Sequence, residues 1–87
     1  MSYSLIIPES LDRIFRKISK KDKLQFEILT RKIEEILQNP NIGKPLTANM
    51  AGMWRVHIRN FVLVYEINET TGIVKLLDYA HHDKVYR

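Results

Sequence analysis

The apolar positions change period once, near residue 52, dividing the chain into a helical half and a strand half. Leu11, Ile14, Phe15 and Ile18 recur at i, i+3, i+4 and i+7, the single stripe of an amphipathic helix. Pro8 can open that helix, because its missing N–H is one of the donors that a helix start leaves unbonded in any case. The stripe predicts an end near Ser19, with Ser19 capping a second helix and Asp22 standing three residues on in the capping-box position. Leu24, Ile28, Leu29, Ile33, Ile36 and Leu37 carry a second stripe as far as Asn39-Pro40, which stops it. Two helices joined so tightly form an αα-hairpin.

Ahead of the helices, Tyr3–Ile7 (YSLII) is a short β-branched and aromatic run closed by Pro8, which reads as a first strand. Behind them, residues 39–52 hold two prolines, two glycines and three asparagines, the composition of a loop. The period then becomes 2. Trp54, Val56 and Ile58 alternate with Arg55, His57 and Arg59 along a second strand, and Asn60 marks a tight turn. Phe61–Ile67 is nearly all apolar, as a central strand should be, and Asn68–Gly72 is a hairpin loop leading to a last strand over Ile73–Ala80. The order β-αα-βββ predicts an α+β layer fold, two N-terminal helices packed on one face of a small, mostly antiparallel sheet.

Composition narrows the function classes. A length of 87 residues suits one small domain over residues 1–87. With no cysteine there is no disulfide framework and no thiolate zinc site. Apolar runs of a few residues, such as Phe61–Tyr65, are far too short to span a membrane, and no leader pattern opens the chain, so a cytoplasmic protein without membrane contact is expected. The formal charge of +4 is a weak pointer to an anionic partner. Its distribution says more. Residues 9–35 mix eight basic with six acidic side chains, the pattern of solvated helix faces, whereas residues 36–65 contain no Asp or Glu but do contain Lys44, Arg55 and Arg59.

Alternation places Arg55, His57 and Arg59 on one strand face, away from Trp54, Val56 and Ile58, with successive side chains about 7 Å apart. Two guanidiniums and an imidazole in a row suit successive phosphates of a single nucleic-acid strand, since Arg contacts phosphate through two donors and His exchanges protons near neutrality. A solvated sheet face lined with Arg is the plainer reading of the same row. The C-terminal residues 79–87 crowd Tyr79, His81, His82, Tyr86, Lys84 and Arg87 together, and an antiparallel sheet would bring His82 and Tyr86 toward that row. Of two adjacent histidines on an extended chain, one must point away. A zinc site built from His57, His81, His82 and Asp83 is set aside for that reason, and neither a metal nor another cofactor is expected.

The order β-αα-βββ, the sequence MAGMWRVHIRNFVLVYEI and the ending YAHHDKVYR together resemble the RelE/ParE superfamily of small toxins from bacterial and archaeal toxin–antitoxin pairs. The resemblance covers nearly the whole chain. It rests on Gly52, Trp54 and Arg55, on the Val64-Tyr65 pair, and on the basic terminal turn closed by Val85-Tyr86. In the RelE branch it implies a metal-independent, ribosome-dependent mRNA endonuclease that cuts a codon in the A site. The family's catalytic positions fall on Arg55, His57, His82 and Tyr86, His82 taking the place of an arginine. Lys44, Arg59, Lys84 and Arg87 join Arg55 as candidate phosphate contacts. The sequence departs from the family after Phe61, where Val62 stands in place of an arginine.

The partners implied are the ribosome with its mRNA and an acidic, partly disordered antitoxin. The helix stripes show no spare apolar surface, so no stable homodimer is expected. Two other readings stay open, a ParE-like gyrase inhibitor and a non-catalytic module that binds the antitoxin.

Overall fold

The computed structural model describes residues 3–46 and 52–82. Strand β1 (Ser4–Ile6) leads into helices α1 (Glu9–Lys21) and α2 (Lys23–Gln38), then a 3-10 turn (Pro40–Ile42). Strands β2 (Lys44–Pro45), β3 (Met53–Ile58), β4 (Phe61–Asn68) and β5 (Ile73–His81) follow. The expected β-αα-βββ order is present, with the two-residue β2 added inside the segment expected to be loop. The strands form one sheet in the order β1-β5-β4-β3-β2, in which only β1 against β5 is a parallel pair.

The helix joint differs in detail from expectation. Helix α1 runs on to Lys21, and Ser19 lies inside it, its hydroxyl donating to the Arg16 carbonyl at 2.7 Å. Asp22 caps α2 instead, its carboxylate accepting from the Gln25 N–H at 3.1 Å. A carboxylate satisfies an orphan donor and also meets the positive end of the helix dipole, which a hydroxyl does more weakly. On the solvated side of α1, Arg13 pairs with Glu9 and Arg16 with Asp12, both at i,i+4.

The core lies between the helices and one sheet face. Leu11 and Phe15 of α1 and Leu29, Ile33 and Ile36 of α2 meet Ile58, Leu63, Tyr65, Val74, Leu76 and Tyr79 of the sheet, with Trp54 and Val56 packed against them. Ile14, expected in the stripe, is 39% exposed, and Leu24 is 57% exposed. Ile14 sits about 60° round the helix from the Leu11–Phe15–Ile18 line and so falls on its flank, at 100° per residue. Leu24 lies in the first turn of α2, near the joint.

The expectation of no spare apolar surface on the helices is corrected. An apolar groove of about 360 Å³ runs between α1, α2 and β1, lined among others by Leu5, Ile7, Phe15, Phe26, Leu29 and Ile33. Three residues of β1 are too few to fill it.

Two irregularities set where side chains point. In β4–β5 the register shifts between Val64 and Tyr65, which pair with Asp78 and Leu76, so Leu77 is an extra residue on β5. Such a bulge moves every later side chain to the other face, and the inward series accordingly runs Val74, Leu76, Tyr79. In the β3–β4 hairpin a two-residue loop holds Arg59 at φ +58°, a left-handed conformation uncommon outside glycine.

Candidate functional site

The sheet face turned away from the helices carries the candidate chemistry. Directly opposed residues of neighbouring strands share a face, so Lys44 of β2, Arg55 of β3, Val64 of β4 and Asp78 of β5 form one row across it. The next row toward the β3–β4 turn is His57, Val62 and Ala80. Arg55 is half-buried and His57 exposed, while Val62 is fully buried and Val64 nearly so. A cationic margin therefore borders an apolar floor.

Lys44 reaches this row through a fixed loop. Tyr65, buried in the core, donates its hydroxyl hydrogen to the Pro40 carbonyl at 2.6 Å and so ties the 3-10 turn to β4. Burial pushes the Tyr65 phenol above its ordinary value of 10.0, and a backbone hydrogen bond from Gly43 opposes the shift. Gly43 itself is packed so tightly that a Cβ there would fall 2.5 Å from both the Arg55 carbonyl oxygen and the Tyr65 hydroxyl. Only glycine lets the chain pass this close, which brings the following residue, Lys44, opposite Arg55.

The end of β5 supplies the second histidine. The His82 N–H donates to the Asn60 carbonyl at 2.9 Å, anchoring the strand end to the β3–β4 turn. Its imidazole then lies against that of His57, with ring centroids 5.6 Å apart and planes tilted by 34°. His81 pairs with Phe61 and meets that ring edge-on at 5.6 Å, with Phe61 in turn stacked on Tyr79. The two adjacent histidines thus have different neighbours, His81 as the last residue of β5 and His82 just beyond it.

Of the candidate residues, the structure brings together Lys44, Arg55, His57 and His82. Arg59, expected to extend the row by two residues, is corrected to the hairpin turn, because a two-residue loop takes both Arg59 and Asn60 out of the pleat. Lys84, Tyr86 and Arg87 lie outside the described residues, as does Asp83. Asp78, a carboxylate in the Arg55 row, was not anticipated. Simple alternation through Ile73–Ala80 hides it, and only the bulge at Leu77 sets its face. Among the described residues no group of three metal-ligating side chains occurs.

Comparison with known proteins decides the family. Residues 8–86 match the model of the ParE toxin of type II toxin–antitoxin systems, parDE. The chain belongs to this toxin family. A Methanosarcina mazei protein of uncharacterised function is 49% identical over 97% of this chain and 99% of its own length. A Methanocaldococcus jannaschii protein bearing the provisional name toxin RelE4 is 41% identical over 98% of this chain and 92% of its own. Among solved structures, a YoeB/ParE toxin from Agrobacterium tumefaciens superposes with a TM-score of 0.78 at 20% identity, covering 91% of this toxin and 98% of that chain. The Escherichia coli RelBE toxin–antitoxin complex gives 0.77 at 22% identity, covering 92% and 96%. Identities this low speak for the fold, which is that of RelE-like toxins.

Proposed function

We propose that this toxin inhibits translation as a metal-independent endonuclease acting on mRNA in the ribosome. The observation that supports the reading is the placement of His82 against His57 at 5.6 Å, on the face that also holds Arg55 and Lys44. RNA carries its own nucleophile, so the protein has only to hold one phosphate, offset its added charge and exchange two protons. Arg55 and Lys44 hold the phosphate, and Arg59 contacts the strand at the turn. One imidazole takes the proton of the 2′-hydroxyl, whose oxygen attacks the adjacent phosphorus. The other protonates the departing 5′-oxygen, which leaves a 2′,3′-cyclic phosphate that water can then open to a 3′-phosphate. Proton donors act at about 2.6–3.2 Å, so His57 and His82 part as the phosphate enters between them. His82 stands where the family has its C-terminal arginine, Val62 contributes only apolar floor, and Tyr86 stacks on a base.

The RelBE complex among its structural neighbours supports an antitoxin as the resting partner. An acidic, partly disordered antitoxin orders on binding, its amphipathic segment seated in the apolar groove between α1 and α2.

Primer extension on cellular mRNA after induction tests the enzyme directly. Codon-phased cuts that vanish in the Arg55→Ala, His82→Ala double variant are expected; intact message under full growth arrest overturns the proposal. A second reading has an observation of its own, since the matching family model is that of ParE and the arginine that the family carries after the aromatic residue is replaced here by Val62, on β4. Gyrase poisoning would show as DNA-damage signalling with message intact.

A further inference from the structure

The His57–His82 pair has a second chemistry. We propose that the two imidazoles form a binding site for one late first-row divalent ion, zinc or copper, whose occupation silences the toxin. Two imidazoles that share an ion each place a nitrogen about 2.0–2.1 Å from it, which sets their ring centroids about 5–6 Å apart at trigonal or tetrahedral angles. The observed separation is 5.6 Å.

The backbone supports this arrangement. His57 is fixed by the β3–β4 ladder, and the strand end carrying His82 is anchored by its N–H to the Asn60 carbonyl. Each imidazole has two nitrogens, so one can ligate while the other keeps a hydrogen bond that orients the ring. The ligating pair is not the adjacent His81–His82 pair, whose side chains diverge, but two residues 25 apart in sequence that the hairpin and the bulged strand bring together. No third donor joins them among the described residues. Water or an anion completes the shell, and the dissociation constant is expected on the order of tens of micromolar, well above that of a four-ligand zinc site. Imidazole ligands favour copper and zinc over magnesium and calcium, which take oxygen donors.

Occupation removes both imidazoles from proton transfer, and this consequence rests on the endonuclease reading; the binding itself does not. Calorimetric titration of the full-length toxin with zinc chloride tests the site, with magnesium chloride as the control. One zinc per chain is expected, at least ten-fold weaker in His57→Ala and in His82→Ala and unchanged in His81→Ala, with no heat from magnesium. Carbon–proton NMR of the unmutated toxin gives an answer independent of any variant, since zinc should shift the imidazole signals of two histidines and leave the third. Absence of saturable zinc binding, wild-type affinity in His57→Ala, or equal loss in His81→Ala overturns the proposal. Zinc binding without any RNA cleavage in the metal-free toxin would uphold the site and count against the endonuclease reading alone.

Discussion

The two faces of β4 are both buried, yet for different ends. Toward the helices, Leu63 and Tyr65 are fully buried among Leu29, Ile36 and Leu76, in a core whose hydrogen bonds serve to lock elements together. Toward the other side, Val62 is just as completely buried, but its cross-strand neighbours are His57 and Ala80, and beyond its own row stand Lys44, Arg55 and His82. One strand therefore carries the stability of the fold on its odd-numbered residues and the floor of the candidate site on its even-numbered ones. The lesson is that burial does not separate core from site here; the charge around the buried residue does.

Substitutions on the site face of β3 and at the end of β5 should have the largest effect. Arg55→Ala with His82→Ala should abolish growth arrest, with cleavage lowered by about 10²–10⁴-fold, the usual contribution of positioned proton-transfer groups. Melting temperature should stay within a few degrees of wild type, and a folded double variant that remains fully toxic would sink the site. From the core side, Leu63→Ala should cost about 2–5 kcal/mol in urea unfolding, because it empties a fully buried position. A loss below about 1 kcal/mol would mean that the helix-facing side of β4 does not carry the stability of the fold.

Gly43 connects the two faces, since its close approach to both Tyr65 and Arg55 positions Lys44. Gly43→Ala should cost about 1–3 kcal/mol through overpacking and should lower RNA affinity along with stability. Normal affinity in the destabilised variant would remove Lys44 from the site. The smallest effect concerns the two phenols. Burial raises both Tyr65 and Tyr79 above 10.0; at Tyr79 the Gln25 hydrogen bond opposes the shift and the Asp22 charge adds to it. A raised folded-state value means that the neutral form is the stabilising one. Its contribution is complete below pH 10.0 and is lost as pH rises through the folded-state values. Thermal melts between pH 8 and 12 should fall only in the alkaline half. Tyr79→Phe, which frees the Gln25 side chain from its 2.6 Å bond, should flatten that fall at a cost of about 0.5–1.5 kcal/mol.

Periodicity made the elements legible: the stripe through Leu11, Phe15 and Ile18, the stop at Asn39-Pro40 and the alternation from Trp54 to Ile58 each correspond to an observed element. What stayed hidden depends on pairing rather than on period. Alternation carried through Arg59 treats a turn residue as a strand residue, and nothing local announces that the loop takes two residues. The adjacent Leu76 and Leu77 gave no sign that one of them is unpaired, because either leucine suits a half-buried strand. The groove between the helices was invisible for a similar reason, since a stripe shows which residues are apolar but not whether a third element covers them.

The unpaired Leu77 has one further consequence. His81 closes β5 and His82 follows it, both exposed, and nothing in their own chemistry distinguishes them. The extra residue four positions upstream decides which one meets His57. Were Leu77 paired with Val64 instead of bulged out, each later residue would move one place along β4 and His81 would stand where His82 does. Deleting Leu77 should remove the bulge and leave His82 facing His57, so which histidine faces the row is set by counting along the strand.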